Sequence, residues 1–120
     1  MAKGILWAIP QDWGFTGKYP VKPHTHLTLQ YGVNKKDWKQ FIGITFCAEL
    51  AEVCHNDLIE AVKVRLPADI HCQNVNPHIT ISHQPEVKPY ESNAMLESLH
   101  KSQPINTSVL FKIEFLEWDA

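Results

Sequence analysis

Apolar and polar positions alternate with the period of a β-strand along much of this chain. Val109, Phe111, Ile113 and Phe115 alternate with Leu110, Lys112, Glu114 and Leu116, which predicts a long closing strand over 109–116. Val62, Val64 and Leu66 alternate with Lys63 and Arg65, so 59–66 reads as a strand ending at Pro67 rather than a helix after Asn56. The short apolar run from Gly4 to Pro10, closed by proline, suits a first strand. His26 to Tyr31 suits a second, broken at Gly32, and the β-branched and aromatic content of 41–50 favours a third. The segment NPHITISH, residues 76–83, alternates again around Ile79 and Ile81. Helical spacing occurs convincingly once, in ESNAMLESLHKS, with Ser92 as N-cap, Met95, Leu96 and Leu99 on one face and basic residues at the end. VNKKDWKQ reads as a turn or a single helical turn and CHND as a turn. Residues 11–25, with Gly14, Gly17, Pro20 and Pro23, read as a long ordered loop. Six strands and one helix predict an α+β domain, small and built mostly of antiparallel sheet.

Two of these strands carry the same unusual face. His26-Leu27-Thr28-Leu29 and His78-Ile79-Thr80-Ile81 each set an imidazole and a hydroxyl two residues apart, and in a strand positions i and i+2 point the same way. With 7 His in the chain, composition alone produces about 0.6 matches to H-x-[ST], so the bare pattern is weak. Its weight comes from the setting, two strands with apolar residues at the alternate positions. A third match, His100-Lys101-Ser102, is set aside because it falls at the end of the predicted helix, where i and i+2 do not share a face. The plain alternative is that both motifs are half-exposed sheet positions with solvated side chains.

Length and composition narrow the setting. The 120 residues, 44% hydrophobic and 20% charged, suit one domain with its own core and leave no room for a second. A net charge of −2 gives no basic footprint for long nucleic acid, although a small phosphate ligand remains compatible with it. The apolar run at the start is too short for a signal peptide or a membrane span, so the expectation is a soluble, cytoplasmic protein. Cys47, Cys54 and Cys72 are odd in number and lack C-x-x-C spacing, which argues against a disulfide framework.

An imidazole with an ordinary pKa near 6.5 can take a proton from an attacking group or give one to a departing group at neutral pH, and two can do both. A threonine hydroxyl two residues away can donate to a non-bridging oxygen of the same centre, a bond worth about 1.5–3 kcal/mol to a charged acceptor. If the two strands face one cleft, two hydroxyls hold a phosphodiester while two imidazoles flank it, which suits in-line displacement at phosphorus without a metal ion.

At these residues the chain resembles the 2H phosphoesterases, whose signature is a pair of H-apolar-[ST]-apolar motifs on a small α+β fold. The run PHITISHQPEVKPYESNAMLESL, residues 77–99, looks like the corresponding stretch of the cyclic phosphodiesterase domain of fungal and plant tRNA ligases, and IEAVKVRLP fits the strand before its second motif. The likeness covers residues 26–116 and is strongest from Ile59 to Leu99. It implies one such domain over 1–120, with His26 and His78 as the catalytic pair and Thr28 and Thr80 as phosphate binders. It implies a 2′,3′-cyclic phosphate substrate, on a nucleotide or an RNA end, opened to a 2′-phosphate. His78 is taken as base and His26 as acid, although sequence cannot order a symmetric pair. A neighbouring 2′-OH can replace water in the same cradle, so cleavage of 3′–5′ linked cyclic or short oligonucleotides stays open. So does a non-catalytic module that holds a phosphate or an RNA end. Many family members carry more helices and a two-lobed repeat than this chain shows.

Further residues are candidates for binding substrate. Trp7, Trp13, Phe15 and Tyr19 lie in or near the loop before the first motif and can stack on a base or serve the core. Lys88 and Ser92 follow the second motif and can contact an anion or act as surface and cap. His24 can tune His26. No metal or cofactor is expected: the pairs Cys54-His55 and His71-Cys72 are adjacent residues, not the spaced ligands of a zinc site.

Overall fold

The computed structural model describes residues 3–118. Its strands are β1 (Lys3–Pro10), β2 (Leu27–Asn34), β3 (Thr45–His55), β4 (Ile59–Arg65), β5 (His78–His83) and β6 (Lys101–Trp118), with two short helices, α1 (Lys35–Trp38) and α2 (Ser92–Glu97). All neighbouring strands are antiparallel, in the order β1-β2-β5-β4-β3-β6, and the sheet closes on itself as a barrel. The two short helices and the antiparallel sheet are consistent with the α+β expectation.

The alternation read from sequence builds the barrel interior. Leu6 and Ala8 of β1, Leu27 and Leu29 of β2, Ala48 and Leu50 of β3, Val62 and Val64 of β4, Ile79 and Ile81 of β5, and Val109, Phe111 and Ile113 of β6 form one buried cluster. The intervening residues face outward. A second cluster lies on that outer side, where Met95 and Leu96 of α2 settle on Cys54, Ile59 and Ala61. It fixes the chain from Pro89 onward against β4 and β5. Burial pushes the Cys54 thiol up to about 11, so this cysteine stays protonated and inert.

Several boundaries differ from the sequence expectation, each for a local reason. β2 does not break at Gly32: this glycine, at φ 71°, forms a bulge between the pairs Gly4–Val33 and Ile5–Tyr31, and the strand continues to Asn34. Phe41 belongs to a 3-10 turn rather than to a strand. β3 starts at Thr45, after Gly43 at φ 91°, and runs past Leu50 to His55. The turn then starts at Asn56, whose Oδ1 accepts from the N–H groups of Leu58 and Ile59, so Cys54 and His55 stay in the strand.

The predicted helix over 91–102 is only Ser92–Glu97, and Leu99 is 98% exposed. Ser92 is not its N-cap. Ser92 itself has helical angles, and its hydroxyl is engaged elsewhere. The chain turns extended at Ser98, and β6 begins at Lys101, where the helix end was expected, and runs for eighteen residues. An irregularity opposite β3, where Leu50 pairs with Thr107 and Glu52 with Pro104, accommodates Pro104 and the positive φ of Asn106. His100-Lys101-Ser102 therefore leads into a strand, contrary to the reason for setting it aside. Among the described residues no helix is long and apolar enough to cross a membrane.

Gly4 permits a close approach. A Cβ there would clash with the carbonyl oxygen of Leu116, a backbone atom that can move only if β1 and β6 separate. Gly4→Ala is expected to destabilise by about 1–3 kcal/mol, seen as a lower denaturant midpoint at unchanged slope. An unaltered midpoint would mean that the β1–β6 contact yields there freely.

Candidate active site

β2 and β5 meet through one ladder pair, Leu27 with Ile79. Both side chains are fully buried in the barrel, so the flanking residues point outward: His26 and Thr28 from one strand, His78 and Thr80 from the other. Because the strands run in opposite directions, His26 lies across from Thr80 and Thr28 across from His78. A local two-fold axis passes through the Leu27–Ile79 pair. All four side chains line one cavity of about 550 Å3 on the outer face of the barrel, a size suited to a small ligand. No Asp, Glu, Lys or Arg is among the described residues that line it.

Beyond this pair the two strands part and take other partners. The N–H of Gln73 donates to the Leu29 carbonyl at 2.8 Å, and the Tyr31 N–H donates to Gln73 Oε1 at 2.5 Å. On the other side Val21 exchanges two backbone hydrogen bonds with His83. The loops 66–77 and 11–25 thus close the seam at its two ends.

Both imidazoles are oriented in the same way. His26 Nδ1 lies 2.7 Å from the His24 carbonyl and His78 Nδ1 lies 2.7 Å from the Asn76 carbonyl. A carbonyl oxygen only accepts, so Nδ1 carries the proton in each ring and Nε2 is left for chemistry. His100 makes the same local bond to Ser98 but does not line the cavity, so the bond sets a tautomer and the cavity distinguishes the pair. Burial lowers the pKa of both rings below the ordinary value, with the hydrogen bond to His24 or Asn76 opposing it. His26 is lowered further by the charges of His24 and His78.

The two hydroxyls differ. Thr80 Oγ1 is 3.2 Å from the Pro89 carbonyl, to which it donates, and 2.8 Å from Ser92 Oγ. With its own proton on Pro89, Thr80 accepts from Ser92. Ser92, the first residue of α2, is fully buried and lies behind Thr80 rather than in the cavity. When Thr80 turns its proton to a ligand oxygen, Ser92 still satisfies its lone pair.

The remaining predicted site residues are spread around this centre. Trp7 stacks on His24 at 5.0 Å and 12°, and its ring centre is 4.6 Å from that of His26; it buttresses the imidazole and does not line the cavity. Trp13 packs on Phe15 and the barrel core. Tyr19 is buried, its hydroxyl donating to the Asn56 carbonyl and its N–H to Ser82 Oγ, so it fastens the 11–25 loop instead of meeting a ligand. Lys88 opens the 3-10 turn before α2, its N–H bonded to Glu91, and does not line the cavity. Among the described residues no group of three or more His, Cys, Asp or Glu is arranged to hold a metal ion.

Residues 24–117 match the fungal tRNA ligase phosphodiesterase domain. The chain belongs to this family. No curated protein and no solved structure matches it. The matched span contains both H-x-T motifs and agrees with the likeness read over 26–116. For a cyclic phosphodiesterase domain of the tRNA ligase type, the cavity also supplies residues that sequence reasoning missed. Tyr31, Gln73 and Asn74 line one side, Pro89, Tyr90 and Asn93 another, and Ile5 joins them from β1. The available signal was the tyrosine three residues after Thr28 and the carboxamides of CQNVN and PYESN, which have no helical or strand period of their own.

Two outcomes are expected. In the unfolded chain both histidines titrate near 6.5; in the folded phosphodiesterase domain they bind protons less well. Between the folded values and about 6.5 the unfolded state binds more protons, so stability rises with pH there and is lost as pH falls through that window. His78→Gln should flatten the fall of Tm between pH 7 and pH 5; an unchanged slope would place the pH dependence in other groups. Ser92→Ala should lower phosphodiesterase kcat/KM about 3- to 10-fold, the weight of one hydrogen bond, with the pH profile unmoved. A displaced profile would mean that Ser92 acts through the histidines.

Proposed function

We propose that this chain is a metal-independent phosphodiesterase that opens 2′,3′-cyclic phosphates, on nucleotides or RNA ends, to 2′-phosphates. The observation that carries the reading is the single cavity into which both histidines and both threonines project, on a chain of this family. One Nε2 removes a proton from water as it attacks phosphorus, and the other protonates the departing O3′. His78, the more enclosed ring, is assigned as base. His26, the more open ring, beside Trp7, is assigned as acid. Thr28 and Thr80 donate to the non-bridging oxygens.

The lining supports this economy of charge. With no lysine or arginine on the cavity wall, the negative phosphodiester finds its counter-charge in a protonated histidine and two hydroxyls. An anion next to the rings raises their pKa values against the lowering effect of burial, so the substrate itself loads the general acid.

The test is a product assay on a 2′,3′-cyclic nucleotide. His26→Ala and His78→Ala should each lower kcat by about 10²- to 10⁴-fold, the product should be the 2′-phosphate, and chelator should have no effect. The profile of kcat/KM against pH should be a bell centred below the ordinary imidazole value, with that of kcat displaced to higher pH. A 3′-phosphate product, loss of activity with chelator, or full activity in either variant would overturn the mechanism. Phosphate binding without turnover would leave a binding module.

A further inference from the structure

Two residues beyond Thr80, on the same face of β5, Ser82 is fully buried. Its Oγ donates to Glu60 Oε1 at 2.8 Å and accepts from the N–H groups of Lys18 at 3.1 Å and Tyr19 at 3.0 Å. A serine hydroxyl has one proton and two lone pairs, so nothing on Ser82 is left over for a ligand. Glu60, its partner on β4, takes the Lys18 N–H on the same Oε1 at 2.9 Å. Neither residue lines the cavity, and the two-histidine chemistry uses neither.

What they hold is the chain that leads into the first motif. Lys18 and Tyr19 sit on Ser82, and Val21 exchanges its two backbone bonds with His83, so 18–21 runs along β5 beyond the Leu27–Ile79 pair. Among the described residues, 22–26 make no backbone-to-backbone hydrogen bond. That stretch is held at its ends, by 18–21 on β5 and by Leu27 in β2, with the His24 ring resting on Trp7. It carries the His24 carbonyl that accepts from His26 Nδ1. His78 takes its carbonyl from Asn76, beside Pro77, which is bonded to Val64 of β4. Gly17 completes the fit at φ 86°: a Cβ there would lie 3.2 Å from the Ser82 Cβ and 3.0 Å from Lys22 Cε. A side chain at Gly17 meets backbone strain and the Ser82 side chain together.

We infer that Ser82 and Glu60 are positioning residues for His26: from the strand of the second motif and its neighbour, they fix the chain that orients the histidine of the first. The consequence for turnover rests on the proposed two-histidine chemistry, whereas the orientation of the ring does not. Hydrogen bonding carries the effect rather than the charge of Glu60, because a single Oε1 accepts both the Lys18 N–H and the Ser82 hydroxyl. A glutamine offers the same oxygen. Without the anchor, the His24 carbonyl swings away from Nδ1 and the neutral ring is free to carry its proton on either nitrogen.

The experiment reads the tautomers of His26 and His78 by ring-nitrogen NMR on the full chain, at a pH where both rings are neutral. Both should carry the proton on Nδ1 in the unaltered protein. Ser82→Ala and Glu60→Ala should give mixed tautomers at His26 and leave His78 unchanged, while Glu60→Gln should leave both as they were. Gly17→Ala frees the loop from its own side with β5 intact and should act like Ser82→Ala, so it decides the matter if the serine variant fails to fold. In the three releasing variants kcat on a 2′,3′-cyclic nucleotide should fall about 10- to 100-fold with KM little changed. An unmoved His26 tautomer in all three would overturn the inference. Equal disturbance of His78 would overturn it too, because that marks a general loosening of the fold, as would a Glu60→Gln variant no better than Glu60→Ala. If the tautomers respond as expected but the unaltered protein opens no cyclic nucleotide, the positioning role stands and the proposed reaction alone fails.

Discussion

One backbone pairing governs this molecule. Leu27 and Ile79 form the sole ladder pair between β2 and β5, and both side chains are sealed in the barrel. That burial fixes register: a slip of either strand by one residue would turn its histidine and threonine into the core and expose its two apolar motif residues. Register in turn fixes chemistry, because an antiparallel pair with the same four-residue pattern on both strands is self-complementary. The two-fold arrangement of imidazoles and hydroxyls needs no special device beyond this pair.

The second layer breaks the symmetry. His26 has Trp7 and His24 behind it, whereas His78 is the more deeply buried ring. Thr80 is backed by the buried hydroxyl of Ser92, which reaches it because α2 is anchored on Ala61 and Ile59 by Met95 and Leu96. Ala61 is the β4 partner of Thr80, and its small side chain gives the helix room to approach. A six-residue helix with little stability of its own is held by tertiary packing in the one place where its serine is useful.

The sequence showed the strands and motifs because both obey period two, which depends only on which face is wet. The ends of elements were less legible. Gly32 looked like a break and is a bulge; Leu99 looked like a helix face residue and is solvated; Lys101 and Ser102 looked like a helix end and open a long strand. In each case the partner strand decided the outcome, and the partner is not visible in a local window. The cavity walls were hidden for a related reason. Tyr31, Gln73, Tyr90 and Asn93 come from β2, a loop, a 3-10 turn and the first turn of α2, and no local pattern brings these together. Ser92 was recognised as important, but its hydroxyl serves Thr80, an assignment that needs coordinates.

The seam between β2 and β5 is the thinnest line in the wall of the barrel. β3 and β6 share ten register pairs, while β2 and β5 share one. A ligand gripped by Thr28 and His26 on one side and by Thr80 and His78 on the other would act as the rung that the sheet lacks there. The place that the protein leaves unstitched is therefore where an outside molecule has most to add, and occupancy would couple directly to how tightly the wall is closed.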